Sequence, residues 1–377
     1  MEQERILVRL PLLGKGFFLL VMWVLLCNSA YGQDPVMSQF SLNKSFLNPA
    51  YAGHGKDLVV AAQSRFQWTH VPGAFVTNTF SADIGCPSSR LGFGLLAYDR
   101  YEGEGFLHST NISGQVSVNL PGRFKRMFGN KMYGKKFIFS AGLQMGVGQK
   151  EIDWSKLTFA DQYGIYTGYS GDPSLVQPQN RESNQVFDMS AGLRGQFEFG
   201  KRGSYMSFGG AVFHINRPVE SFLGSENRLE PRYTLHFFTY FQTKKFTNNP
   251  DYLSIGVVFD AQQGLTTNNL LIYKDIYTFG KVGLGFRRQN FVLIDQNVDA
   301  IILQGMVEYD QFTFGYSYDF TISEFGPQRS FGTHEIGITY RFKDTYLCKN
   351  KGGKDKIDCF FLNSGSFSGG GSKTWNP

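Results

Sequence analysis

Tryptophan, cysteine and charge are all scarce in this chain. Of its 377 residues 4 are Trp and 4 are Cys, and charged side chains make up 18%. So few cysteines cannot form the framework of a small secreted scaffold, so disulfides are not expected to hold the fold. No run after residue 27 approaches the roughly 20 apolar residues of a membrane-spanning helix, which excludes a helical membrane protein. The six histidines at 54, 70, 108, 214, 236 and 334 are scattered, and no Cys pair has zinc-site spacing. There is no Gly-x-Ser-x-Gly elbow and no phosphate-binding glycine loop. Glu102 and Glu104 lie in a glycine-rich stretch with nothing around them to shape an acid–base pocket. The expectation is a non-enzymatic protein with no metal and no cofactor. The formal net charge of +6 is spread along the chain, so no nucleic-acid partner is expected.

What is abundant is aromatic residues and glycine. Phe numbers 37, Tyr 19 and Gly 44. That is too aromatic for a disordered chain. These residues fall in period-2 segments, which disfavours an α/β enzyme.

The first residues read as an address. Arg5, Arg9 and Lys15 precede an apolar run from Phe17 to Leu26, followed by Ala30-Tyr31-Gly32. This is the layout of a secretory signal peptide spanning 1–32, cut near Gly32. Cys27 is no lipoprotein site, because Leu26 stands where a small residue is required. Cleavage leaves Cys86, Cys348 and Cys359, of which only Cys348 and Cys359 are close enough to close a small loop.

The body alternates. From Asn111 to Leu120, Ile112, Gly114, Val116, Val118 and Leu120 share one face, and Asn111, Ser113, Gln115, Ser117 and Asn119 share the other. The split recurs around Leu143, Leu193, Phe314 and Ile338. A soluble sandwich would point the apolar face into its core. An outer-membrane barrel points it at lipid. Three features select the barrel. The segments approach the 9–11 residues that cross a membrane at a tilt. Aromatics gather at segment ends, as in Phe66 and Trp68, Tyr98 and Tyr101, and Phe197 and Phe199. The polar faces carry Arg194, Glu198, Asp319, Glu335 and Arg341, which a wet or charge-paired lumen accepts and lipid does not.

The expected fold is all-β: a transmembrane antiparallel barrel of about 14 strands. Strands are predicted to start near Asp57, Phe75, Arg90, Ser109, Lys136, Gln185, Ser204, Arg232, Tyr252, Asn268, Thr278, Val298, Phe312 and Thr333. The Asn268 strand has the weakest alternation. The domains are then signal 1–32, a short periplasmic segment 33–56, barrel 57–342 and a flexible tail 343–377. An even count puts both ends in the periplasm, with short inner turns and long outer loops such as 149–184. The exception is Pro121–Lys135, whose Arg123, Lys125, Arg126, Lys131 and Lys135 have no acid among them. It is either a solvated basic turn at the lipid phosphates or a docking patch for a periplasmic partner.

Two stretches carry a family resemblance. Near the start, Gln39-Phe40 is followed by Asn48-Pro49-Ala50-Tyr51-Ala52-Gly53. Near the end, Phe312–Asp319 leads to His334–Phe342. Ile152-Asp153-Trp154-Ser155-Lys156-Leu157 in the long outer loop fits the same pattern. Together they resemble the PorP/SprF family of type IX secretion outer-membrane proteins of Bacteroidota, over roughly residues 34–342. The resemblance implies a non-enzymatic accessory of the secretion and gliding-motility apparatus. Its implied partners are outer-membrane lipid, a secreted surface adhesin with a C-terminal secretion domain, and periplasmic components. The other reading is a passive porin or hydrophobic-solute transporter. Inward faces crowded with Gly, Ser, Gln and Asn permit a narrow or plugged interior.

Read as chemistry, Asn48–Gly53 is a turn with small residues that lets backbones pack closely, or a partner-docking motif. Glu335, Gly337, Tyr340 and Phe342 fit a terminal-strand pattern by which barrels are recognised for assembly. Beyond it, Lys343, Lys349, Lys351, Lys354 and Lys356 precede a Gly/Ser-rich run that cannot bury a core.

Overall fold

The computed structural model describes residues 34–55, 57–86, 89–103, 107–123, 135–164, 166, 168–175, 184–200, 204–220, 228–243, 251–276, 280–291, 298–323, 326–343 and 345. Fourteen antiparallel strands close into one barrel. They are β1 Leu58–Gln67, β2 Phe75–Cys86, β3 Leu91–Glu102, β4 Leu107–Arg123, β5 Lys136–Glu151, β6 Asn184–Phe199 and β7 Ser204–Phe213. The other half is β8 Arg232–Gln242, β9 Tyr252–Gln262, β10 Leu265–Ile276, β11 Gly280–Phe291, β12 Val298–Tyr309, β13 Phe312–Thr321 and β14 Thr333–Phe342. Each strand pairs with its neighbours in sequence, and β14 returns to pair with β1. The largest error in a predicted start is three residues, at Asn268 against Leu265. Among the described residues the register shifts once between paired strands, at Arg287/Arg288.

Turn chemistry joins the hairpins. Gln263 and Gly264 both take positive φ, 49° and 81°, which is the mirror-image turn that matches strand twist. The long connections gather at one end, the outer one, and include a two-residue ladder between Tyr163–Gly164 and Gly168–Tyr169. Gln263–Gly264 is the short exception there.

The alternation sorts as lipid requires. Ile112, Leu143, Leu193, Leu235, Leu284 and Ile336 are exposed on the outside, Leu193 to 67%. Ser113, Gln115 and Ser117 on the same strand as Ile112 are buried inside. No helix among the described residues is long and apolar enough to cross a membrane.

What buries the inner face is the chain itself. Of the segment expected at 33–56 on the periplasmic side, residues 35–54 lie within the lumen. It carries a single helical turn, α1 (Lys44–Leu47), capped by the Asn43 side chain. A 3-10 turn over Pro49–Tyr51 follows, with proline at its first position. Ser38 sits level with Arg65 and Glu335, each the third residue from the outer end of its strand. Gly53 donates its N–H to Asp83 near the inner end of β2 at 3.1 Å. The segment therefore descends the lumen before β1 begins.

One arc of the wall is apolar inside as well as outside. Val258, Leu271, Tyr273, Ile302 and Met306 point inward and pack on Phe40, Leu42 and Leu47. This is why β10 alternates weakly in sequence. Leu270 and Ile272 meet lipid while Leu271 and Tyr273 meet the segment. Cys86, at the inner end of β2, is disulfide-bonded. Its partner lies outside the described residues.

Candidate functional site: the occupied lumen

Three contacts hold the inner segment. The outermost is at Ser38 and Gln39. Their backbone N–H groups both donate to the Glu335 carboxylate, at 2.7 and 2.8 Å. Their carbonyls accept from Gln304 at 2.8 Å and Gln63 at 3.1 Å. The Ser38 hydroxyl donates to Asp319 at 2.7 Å and accepts from Arg65 at 2.8 Å and Arg287 at 2.6 Å. That fills its one donor and two acceptor positions. Arg65 and Arg287 also pair with Asp319 at 2.9 and 2.8 Å, and Arg65 with Glu335 at 3.2 Å. Two cations face two anions, and all four side chains are nearly inaccessible.

The middle contact is Asn48, itself 0% exposed. Its amide donates to the carbonyls of Leu193 and Gly210, both at 3.1 Å, on adjacent strands β6 and β7. Its oxygen accepts from Ala50 N–H at 2.8 Å and so caps the Pro49–Tyr51 turn. The wall comes close because it is glycine there. A Cβ on Gly142 would stand 2.4 Å from Ala50 N, and one on Gly192 would stand 2.0 Å from Asn48 Oδ1.

The third contact is cationic. Arg194 lies over the Tyr51 ring at 4.6 Å and donates to His54 Nδ1 at 2.6 Å. Burial first, then Arg194, holds the His54 imidazole well below its ordinary range, so it stays neutral and accepts. Lys44 on α1 is pushed down to about 7 by burial, then by Arg194, Lys281 and Arg341.

The other sequence-flagged residues separate. Asn48–Gly53 is buried in the lumen and offers no surface to a partner from outside. Of the basic patch, Arg123 ends β4 and Lys135 pairs with Glu198 at 3.3 Å. Lys125, Arg126 and Lys131 lie outside the described residues, as do residues 1–32, the tail from 346 and its cysteines. Within the terminal pattern, Glu335 faces inward and belongs to the charge cluster, and Gly337 makes room for Leu42. Tyr340 and Phe342 pack edge to face near the inner rim, ring centroids 4.5 Å apart. Sequence reasoning missed Ser38, Arg65 and Arg287. The inward parity of Arg65 and Arg287 was readable, but partners within this cluster lie up to 297 residues apart in sequence. Outside the lumen, Tyr163, Tyr166, Tyr169 and Leu175 of the long outer loop are exposed, Tyr166 to 98%. A small pocket at the outer mouth is lined by residues that include Tyr98, Asn111, Lys150, Asp188, His214 and Leu229.

A closed fourteen-stranded wall, lipid-facing outside and filled inside by its own N-terminal segment, defines an outer-membrane barrel with an internal plug. The chain belongs to the PorP/SprF family of type IX secretion system membrane proteins, whose family model matches residues 29–340. It is thereby a component of that secretion system. Among curated proteins none matches it. Solved structures of similar shape include a deletion mutant of the TodX monoaromatic hydrocarbon channel. That likeness has 10% identity and a TM-score of 0.40, and covers 79% of this chain and 94% of the channel. CdiB from Acinetobacter baumannii is 9% identical with a TM-score of 0.38, covering 76% and 60%. A Rhodopseudomonas blastica porin triple mutant is 7% identical with a TM-score of 0.30, covering 76% and 99%. Identities this low carry no function across.

Proposed function

We propose that this barrel holds rather than conducts. Within the type IX secretion and gliding apparatus it retains a secreted adhesin-type protein at the cell surface and links it to periplasmic components. The observation that carries this reading is the filled lumen. A passive porin needs a wet channel, and here the channel cross-section is taken up by residues 35–54 and the side chains that grip them. The exposed aromatics at Tyr163, Tyr166 and Tyr169 supply an outer contact surface of the kind that binds partners. The basic turn around Arg123, Lys125, Arg126, Lys131 and Lys135 is the inner docking patch, and the Lys-rich tail extends it. Export uses a cleaved leader, and Glu335, Gly337, Tyr340 and Phe342 serve recognition for insertion. Asn48–Gly53 anchors the plug.

Two measurements test the reading. Purified full-length protein in planar bilayers gives no large stable conductance, and solubilised membranes yield a surface adhesin bound to it. A steady porin-like conductance with no bound protein refutes the holding role. Replacing the five basic residues by Gln loosens periplasmic components while leaving the adhesin bound. Unchanged assembly reduces the patch to a solvated turn.

A further inference from the structure

The barrel has one junction that no turn secures. Thirteen strand pairs join consecutive strands, and the fourteenth, β1 to β14, closes the ring between strands that are not consecutive in the chain. Along that seam Arg65 stands directly opposite Glu335. Both are buried, and their ion pair spans the seam on its inner side.

The Ser38–Gln39 dipeptide lies across this junction. Toward β14 it makes three bonds: both N–H groups to the Glu335 carboxylate, and the Gln39 amide to the Glu335 carbonyl at 2.9 Å. Toward β1 it makes two, from Gln63 to the Gln39 carbonyl and from Arg65 to the Ser38 hydroxyl. Further along, Leu42 takes a bond from Thr339 of β14 at 3.4 Å, and its side chain fills the space left by Gly315 and Gly337. Asp319 and Arg287 brace the same hydroxyl from β13 and β11.

We propose that this dipeptide is a clamp on the closing seam: its seating joins the first strand durably to the last. Without it the seam must close with a buried glutamate short of two donors and an arginine short of an acceptor. The segment is covalently upstream of β1, so it arrives with one side of the seam and fastens the other. This inference does not rest on the holding function.

The test uses full-length protein and the temperature at which the compact band is lost on a heat-modifiability gel. Glu335→Gln removes the shared acceptor, and Ser38→Ala is the milder variant should the first fail to fold. Each is combined with one of two disulfides. Ala62→Cys with Ile338→Cys crosses the seam at a directly paired position, and Ile112→Cys with Val147→Cys crosses β4–β5 in the same way. Directly opposed antiparallel residues are within bridging distance. Each variant is compared with its parent under the same redox condition. The clamp variants lose the compact band roughly 5 °C lower or more. The oxidised seam disulfide restores it, and the β4–β5 disulfide does not. Equal rescue by both disulfides, no rescue by the seam disulfide, or a Ser38→Ala transition at the parental temperature each overturns the clamp.

Discussion

Removing one charge from the luminal cluster tests whether the interior is a packed core or a wet channel. Arg287 and Asp319 are 3% and 2% exposed and lie 2.8 Å apart. With Arg65 and Glu335 they make a group of two cations and two anions. Arg287→Met leaves one cation against two anions, and Asp319→Asn leaves two against one. In a water-excluded site, stranding a charge costs about 3–5 kcal/mol. In a wet lumen the same pair is worth about 0–1 kcal/mol. The two pictures therefore differ severalfold for each single variant. They also differ for the pair. Independent losses would sum to about 6–10 kcal/mol from the same figures. The double variant is neutral again, so its loss falls short of that sum by about 2–3 kcal/mol. The assay is reversible urea unfolding in lipid vesicles followed by tryptophan fluorescence. Glu198→Gln, at the inner rim beside Lys135, is the control and adds to Arg287→Met within about 0.5 kcal/mol. Single losses under about 1 kcal/mol, or a strictly additive double variant, refute a packed interior.

Three further outcomes follow from the geometry. Gly142→Val drives a side chain into the Pro49–Ala50 backbone and unseats the plug, so limited proteolysis cuts within residues 35–54 while the strands stay protected. His54 is held neutral in the fold, below its ordinary 6.5, so the unfolded chain takes up the proton first. Stability is complete above that value and falls as pH drops through it toward the depressed folded value. His54→Gln flattens the urea midpoint between pH 8 and 5. Leu193→Arg puts a charge on the lipid face and costs about 2–4 kcal/mol near the midplane, seen as a smaller folded fraction in vesicles.

The wall was legible because hydrocarbon imposes a simple rule. One side of each strand must be apolar, and Ile112 to Leu120 or Leu143 to Val147 obey it without exception. The rule blurs where the inner face is apolar too, as at Leu270–Tyr273, and there the predicted start slipped most. The plug was harder to read. Residues 35–54 have no strand period, and their helical turns are too short to show one. Their contacts are also remote in sequence, Ser38 with Asp319 and Asn48 with Gly210, so no local pattern encodes them. Asn48-Pro49-Ala50 stood out as a turn among small residues. The glycines opposite, 142 and 192, look in sequence like ordinary barrel glycines. Arg65 and Arg287 were assignable to an inward face by parity, but parity does not name a counter-ion.

A filled interior changes which substitutions this chain can tolerate over time. In an open pore an inward side chain meets water and drifts freely, altering only what passes. Here each strand is screened from two directions, by acyl chains on one side and by polypeptide on the other. Neutral variation is then confined to loops and rims. Change at an inward position has to be matched by change in residues 35–54, so the two regions evolve as one fitted pair.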